Sequence, residues 1–344
     1  MASKLTSGRQ DNQGSGAFIR SESAFRNFIS PDPNARFPAE KGRYALYISP
    51  TCPWAHRTTI VRILKGLEDI VDLYELHPSM GPKGWYFSGE GSSLPADPLY
   101  GFKYLPDLYK KADPSFTGPF TVPMLWDKKS HTVVNNESSE IVRMLTIAFD
   151  NLLPEHLREV NRPGGGLYPE HLMSSIDEAN SWVYNLINNG VYKTGFATTQ
   201  QAYEANLYPL FEGLDRVEQL LSSPPPSESG SPDTKSRKYL LGDNLTEADV
   251  RLYTTIIRFD VAYRPVFLCS LKSIRHDYPN IYSWLRRLYW DRDSRETNSA
   301  FHKTSAPYLD VYGPSYAAAR HKKVFGGQGP LIVPRGPTPL IDQL

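Results

Sequence analysis

Tyr44-Ala45-Leu46-Tyr47-Ile48-Ser49-Pro50-Thr51-Cys52-Pro53-Trp54-Ala55-His56-Arg57 is the stretch on which the fold turns. Its first five residues are aromatic or aliphatic, lie between Gly42 and Pro50, and read as a strand. Ser49-Pro50-Thr51 is a turn. Pro53 stands where proline is favoured, in the first turn of a helix, because its ring presets φ and its missing N–H has no partner to lose there. That helix runs to about Leu67, and Val71-Asp72-Leu73-Tyr74-Glu75-Leu76 is the next strand. Strand, helix and strand within about 35 residues make a βαβ unit.

Working outward, residues 77–119 are rich in Gly, Pro, Ser and aromatic residues. They read as a long excursion over the surface with a short helix near Leu105–Lys111. Excursions of that length are usually functional or disordered, and the repeated Trp and Tyr residues favour function. Residues 121–127 and 131–134 form two strands around the polar turn Lys128-Lys129-Ser130, a hairpin. Asn135-Asn136-Glu137-Ser138-Ser139-Glu140 caps a helix that continues through Ile141, Met144, Leu145 and Ala148. The order β-α-β, excursion, β-β-α is the thioredoxin order, so the fold class is an α/β thioredoxin-like N-terminal domain. After Pro154 the strand signals fade and an all-α C-terminal domain is expected, with helices over 170–189, 199–222, 246–262, 278–291 and 297–304. Thr246-Glu247-Ala248-Asp249 is a capping-box-like start. The expected divisions are an N-terminal tail and arm (1–40), the thioredoxin-like domain (41–154), a linker (155–169), the helical domain (170–310) and a C-terminal extension (311–344). Residues 1–16 read as a flexible tail and the Ser/Pro-rich residues 223–238 as a disordered insertion. The C-terminal 40 residues, with many Gly, Pro and Tyr, read as irregular chain wrapping the surface.

Composition narrows the function classes. The 344 residues fit roughly two domains, and 40% of them are apolar, which suits a globular core. Lys and Arg number 38 against 37 Asp and Glu, so no basic excess argues for nucleic acid. No apolar run approaches the ~20 residues that span a bilayer, so no membrane partner is expected. Cys52 and Cys269 are the only cysteines. Two widely separated cysteines fit a reducing compartment, and a cytoplasmic location is expected, with an organelle left open. The stretch from Phe18 to Ile29 mixes aromatic and basic residues, but Asp11, Glu22 and the regular aromatics favour an ordered arm over a transit peptide. The eight histidines show no metal-ligand spacing, so no metal is expected.

Cys52 carries the chemistry. A strand-turn-helix junction aims its sulfur at the N–H groups of a helix start, and these, with the helix dipole, stabilise a thiolate. Three residues on stands Ala55, where a dithiol oxidoreductase needs its resolving cysteine. A second thiol must therefore come from outside, and glutathione is the expected donor. The competing reading is an inert cysteine packed behind the strand. Val122-Pro123 opens a strand in the position of a cis proline, which would leave the Val122 backbone to pair with an extended peptide beside the cysteine. An ordinary edge-strand proline is its alternative. Glu137 and Ser138 could hold an amino-acid head group at a helix N-terminus or simply cap that helix. His56 could act as a base if the helix turned it toward the sulfur. Cys269 reads as a small buried apolar residue.

Together Cys52-Pro53-Trp54-Ala55-His56-Arg57, Thr121-Val122-Pro123-Met124-Leu125-Trp126-Asp127 and Asn136-Glu137-Ser138-Ser139-Glu140-Ile141 resemble the glutathione transferases with a catalytic cysteine, near the omega class. The closer resemblance is to the glutathionyl-hydroquinone reductases, or xi class, and it runs from about Phe18 to Pro337. Gly84-Trp85, the segments Asn189–Ala197 and Leu245–Leu252, and Val333-Pro334-Arg335-Gly336-Pro337 carry it further. The resemblance implies a glutathione transferase fold with the acceptor site in the cleft between two domains, a homodimer, and glutathione as co-substrate. It implies removal of glutathione from S-glutathionyl-hydroquinones, with Cys52 as nucleophile and a mixed disulfide as intermediate. The implied glutathione contacts are Trp85, Val122, Glu137 and Ser138, and the hydroquinone-side tyrosines are Tyr192 and Tyr289. Two departures stand out. Gly118-Pro119-Phe120 replaces a basic residue before the Thr-Val-Pro segment, and Ala262-Tyr263-Arg264-Pro265-Val266-Phe267 departs from a His-Phe-Lys run. An omega-like thioltransferase or dehydroascorbate reductase is the alternative activity, and a non-enzymatic ligand-binding protein is the third.

Overall fold

The computed structural model describes residues 8–10, 14–223, 237–291 and 297–343. Residues 1–7 and 11–13 of the expected tail, and residues 224–236 of the expected insertion, lie outside them. The chain divides into two compact units: one holds residues 19–158 and the other residues 159–344 with the segment ending at Phe18. A short two-stranded ribbon, β1 (Gly8–Gln10) and β2 (Phe18–Arg20), lies at the N-terminal end. The strand at Gly8–Gln10 corrects the expectation of a flexible tail there, since backbone pairing needs no apolar pattern to signal it.

The first unit is built on a four-stranded mixed sheet. Its strands are β3 (Tyr44–Ile48), β4 (Val71–Glu75), β5 (Met124–Asp127) and β6 (Thr132–Asn135), in the order β4-β3-β5-β6. β3 pairs parallel with β4 and antiparallel with β5, and β5 pairs antiparallel with β6. All five residues of β3 are buried, as expected of a central strand covered on both faces. β5 starts at Met124 rather than Thr121, because Pro123 has no N–H to give the ladder. The Val122–Pro123 bond is cis.

α1 (Pro53–Leu64) and α3 (Ser138–Ile147) pack against each other. The end of α1 is tied to the next strand by Arg62, which donates to the Val71 carbonyl (2.6 Å) and to the Glu68 carbonyl (2.8 Å). Beyond α1, Gly66 takes φ +65°, and a Cβ there would lie 2.7 Å from Leu157, so the turn requires glycine.

The excursion after β4 is ordered and has its own core, where the sequence suggested a surface path. Phe87, Leu105, Leu108 and Tyr109 are fully buried, the last three on α2 (Leu105–Ala112). Buried Asp97 accepts from the Tyr47 hydroxyl (2.5 Å) and the Tyr100 N–H (2.6 Å), fixing the excursion to the central strand. The N-terminal arm runs beside β6: Asn27 N–H donates to the Val134 carbonyl and Asn136 N–H to the Phe25 carbonyl. Arg26 grips Glu140 on α3 through two nitrogens.

The second unit is helical. α4 (Met173–Trp182) continues into a π-helical segment, Val183–Asn188; then come α5 (Gly190–Gly195) and α6 (Gln200–Ser222). α7 (Glu247–Arg258) opens on the expected capping box and likewise ends in a π-helical turn, Phe259–Tyr263. The Asp249 carboxylate is fully buried and accepts from the Leu240 N–H, the Thr246 N–H and the Trp284 indole. α8 (Arg264–Val266), α9 (Ile274–Asp277), α10 (Pro279–Trp290) and α11 (Ala300–Ser305) follow.

α12 (Leu309–Phe325) corrects the expectation of irregular chain across the whole C-terminal region. Gly313 and Pro314 hid it, being poor helix formers. Burial overrides them: Tyr312 and Tyr316 lie one turn apart on the buried face. Gly313 lets the helix approach closely, since a Cβ there would come within 3.3 Å of the Val261 carbonyl oxygen. Past Gly326 the chain is irregular, as expected. Its end is held on α10, where the Tyr282 hydroxyl donates to Asp342 (2.6 Å) and the Arg286 guanidinium to the Asp342 carbonyl (3.0 Å). Among the described residues no helix is long and apolar enough to cross a membrane, and no group of three or more His, Cys, Asp and Glu residues could hold a metal ion.

Candidate active site

Cys52 is the N-cap residue of α1, extended at φ −76° and ψ 116°, with Pro53 opening the helix behind it. The thiol is partly exposed and donates to the Val122 carbonyl at 3.4 Å. Neither Cys52 nor Cys269 forms a disulfide, and complete burial pushes the Cys269 thiol far above its ordinary pKa. Only Cys52 is placed to react. The turn before it is fastened from the excursion: Ser49 donates to the His77 carbonyl (3.2 Å) and Thr51 to that of Pro78. His77 stacks on Tyr86, with ring centroids 4.8 Å apart. Trp85 is half-buried, and its carbonyl accepts the N–H that opens α2. The His77–Tyr86 stack and the tie to α2 fix the backbone on both sides of Trp85.

Val122 and Glu137 are joined by a polar network. Tyr109 donates to the Thr121 carbonyl at 2.8 Å, and the Asn136 amide donates to the Thr121 hydroxyl and the Tyr109 oxygen, both at 3.2 Å. Burial, partly offset by these bonds, pushes the Tyr109 phenol up to about 12, so it stays a neutral donor. The Asn135 side chain accepts the Glu137 N–H at 2.7 Å. Among the described residues the Val122 N–H makes no hydrogen bond. Glu137 is the N-cap of α3: one oxygen accepts from the Ser139 N–H (3.2 Å) and hydroxyl (3.0 Å), the other from the Ser23 hydroxyl (3.0 Å). Capping is therefore real, yet a carboxylate has about four acceptor positions and keeps room for an ammonium group. Ser138 is buried at the first helical position. Ser23 of the arm was missed from the sequence, where nothing marks a lone serine as a partner of Glu137.

His56 is 3% exposed on α1. Two guanidiniums flank the aromatic of the first turn: Arg20 and Arg57 lie 4.6 and 4.5 Å from the centre of the Trp54 ring.

In the second unit, Tyr192 on α5 belongs to a phenol cluster that the sequence did not assemble. Its hydroxyl lies 3.0 Å from that of Tyr316, which lies 2.9 Å from that of Tyr263. The Tyr192 ring also meets Phe196 and Phe267. Gly195 allows this, because a Cβ there would sit 2.1 Å from the Phe267 ring. Burial and the neighbouring Tyr192 hold the Tyr263 and Tyr316 phenols well above their ordinary pKa, while Arg258 opposes that rise. Tyr289 stands in other company, its ring against Trp290 and His302 on α10 and α11. The four-residue spacing of Tyr312 and Tyr316 was the one sequence signal for this cluster.

The chain matches the family models described as glutathione S-transferase, N-terminal domain, over residues 51–146, and C-terminal domain, over residues 200–287. It is 50% identical over 290 residues to glutathione S-transferase omega-like 2 of Schizosaccharomyces pombe, covering 84% of this chain and 85% of that one. It is 45% identical over 280 residues to glutathionyl-hydroquinone reductase YqjG of Escherichia coli, covering 80% and 79%. That protein has been solved with glutathione bound, and this fold matches it with a TM-score of 0.76 at 40% identity over 92% of this chain and 93% of that one. The crystal structure of the glutathione-S-transferase Xi from Phanerochaete chrysosporium matches with a TM-score of 0.82 and 46% identity, over 95% of this chain and 100% of that one.

Proposed function

The chain belongs to the glutathione S-transferases, in their xi-class, omega-like branch, and from that premise we propose that it reduces S-glutathionyl-hydroquinones to hydroquinones through Cys52. The observation that carries the reading is the cysteine itself: a partly exposed thiol at a helix start, with alanine where a resolving cysteine would stand. In the first half-reaction the Cys52 thiolate attacks the conjugate's sulfur. The sulfur–carbon bond breaks, a sulfur–sulfur bond forms, and the aromatic carbon keeps the electron pair and takes up a proton. In the second, the thiolate of another glutathione attacks the mixed disulfide, giving oxidised glutathione and the Cys52 thiolate.

Glutathione is the co-substrate in this reading. The Val122 backbone pairs with its extended peptide, Glu137 takes its ammonium, Ser138 with the N-terminal N–H groups of α3 takes the carboxylate beside it, and Trp85 packs on it. Tyr192 serves the hydroquinone oxygen. Tyr316, bonded to Tyr192, and Tyr263, bonded to Tyr316, support that role better than Tyr289, whose ring neighbours are Trp290 and His302. The reading also carries a homodimer, checked by sedimentation, and a reducing cytoplasmic setting that keeps Cys52 a thiol, checked by cell fractionation.

The test mixes purified protein with glutathionyl-menadiol and excess glutathione beside a Cys52→Ser control. Free hydroquinone and oxidised glutathione, formed only by wild type, are expected. Wild type that ignores the conjugate but reduces a mixed disulfide or dehydroascorbate would replace this reading with the omega-like one.

A further inference from the structure

The Glu137 carboxylate is held from two sides, by its own helix and by the N-terminal arm. Of the about four acceptor positions on a carboxylate, the Ser139 N–H (3.2 Å) and hydroxyl (3.0 Å) take two, both on Oε1. The Ser23 hydroxyl takes a third, on Oε2, at 3.0 Å and from 114 positions away in the chain. The remaining position therefore belongs to the oxygen that Ser23 holds. The hydroxyl shares its single proton with the Asn136 carbonyl, 3.2 Å away, so it is seated against the residue just before Glu137. Its place is fixed two residues further along the arm, at Phe25. The Phe25 N–H donates to the Asn136 side-chain oxygen at 3.0 Å, and its carbonyl accepts the Asn136 N–H at 3.1 Å. The Phe25 ring packs against Phe116 and Tyr109, with centroids 5.1 and 5.7 Å away. Arg26 then grips Glu140 in the first turn of α3. Both Ser23 and Glu137 are partly exposed, so a ligand can reach the carboxylate that they share.

We propose that Ser23 is a positioning residue of the ammonium subsite, fixing the Glu137 carboxylate so that its remaining acceptor position meets the ammonium group of glutathione. A carboxylate held through one oxygen can still swing about that oxygen; held through both, its plane is set. Ordering the group before the ligand arrives removes that ordering cost from binding. Without the Ser23 hydroxyl, Ser139 alone would hold Glu137, and the carboxylate would satisfy its helix cap without having to face the ligand. The arm thus works through Glu137: its backbone pairing at Phe25 places a hydroxyl, and the hydroxyl places a charge.

This inference rests on the proposed role of Glu137, so its test separates the two. The probes are glutathione and glutaryl-cysteinylglycine, the same tripeptide with hydrogen in place of its ammonium group, each titrated calorimetrically under reducing conditions. Wild type should bind glutathione the more tightly. In Ser23→Ala the Kd for glutathione should rise about fivefold, the scale of one hydrogen bond, while that for the deaminated probe stays within about twofold. Unchanged binding of the deaminated probe also shows that the variant is folded. Ser23→Thr keeps the hydroxyl and should bind both probes as wild type does. In a Glu137→Gln background, Ser23→Ala should add no further loss, because the two residues act as one unit. Wild type that binds both probes equally would remove the ammonium subsite, and this inference with it. Wild type that prefers glutathione, beside a Ser23→Ala variant that prefers it as strongly, would overturn the role of Ser23 and leave that of Glu137 standing. Equal losses for both probes in Ser23→Ala would overturn it too, since the arm would then support the fold and not the carboxylate.

Discussion

Cys52 owes its place at a helix start to its immediate neighbours, whereas the phenols around Tyr192 are gathered from α5, the turn after α7, and α12, with Tyr192 and Tyr316 separated by 124 positions. The thiol site is a local device: strand, turn, proline and helix follow one another in the chain, so the placement of the thiol can be read from fourteen consecutive residues. The phenol cluster is a tertiary device, and it exists only once α12 has docked. The two also differ in solvation. The thiol is partly exposed, while Tyr263, Tyr312 and Arg258 are fully buried, so a charge beside the phenols is screened by water less than one beside the thiol.

That contrast can be broken or sharpened by substitution. Cys52→Ser should lower conjugate turnover by about three orders of magnitude or more, since no other group can form the mixed disulfide. Steady-state release of hydroquinone measures it. Tyr192→Phe and Tyr316→Phe should each lower kcat by about 100-fold, the lower end of the range for losing a donor to a developing oxyanion. Tyr289→Phe, assayed beside them, should stay within about twofold. Equal losses at Tyr289 and Tyr192 would restore the pairing suggested by sequence and dissolve the cluster as a unit.

A stability effect comes next. Asp127 is buried in β5 and bonded to Arg43 at 2.8 and 2.6 Å. Burial works against its charge, but Arg43, Ser130 and the Lys129 N–H outweigh it and hold the carboxyl below its ordinary pKa. Asp127→Asn should destabilise the first unit by about 2 kcal/mol at neutral pH, measured by urea unfolding. A depressed carboxyl adds stability that is fully present above the unfolded-state pKa and lost as pH falls through the folded one. The gap between wild type and variant should therefore close below the ordinary aspartate range of about 4. A gap independent of pH would mean that packing, not the ion pair, is responsible. The smallest effect is expected at Glu137→Gln, which should raise the KM for glutathione about tenfold, or 1.4 kcal/mol, with kcat little changed.

How much could be read beforehand follows the same division. The βαβ unit, the hairpin, the caps at Glu137 and Thr246 and the sites of Cys52 and Val122 all rest on neighbours in the chain, and their residue types announce them. The core of the excursion did not, because Phe87 and Asp97 acquire meaning only against β3, which is distant in sequence. Ser23 was silent for the same reason. α12 was obscured by Gly313 and Pro314, whose local cost is outweighed by the burial of Tyr312 and Tyr316. With α12 unseen, Tyr192 lacked its true neighbours.

The central claim is that Cys52 accepts glutathione from an aromatic carbon. The most direct measurement incubates the protein with glutathionyl-menadiol and no free glutathione, then maps the modified peptide by mass spectrometry while counting released hydroquinone. The account predicts one glutathione on the peptide carrying Cys52, one hydroquinone released per chain, and reversal when glutathione is added. Hydroquinone released with Cys52 unmodified, or no release from a folded protein, would contradict it.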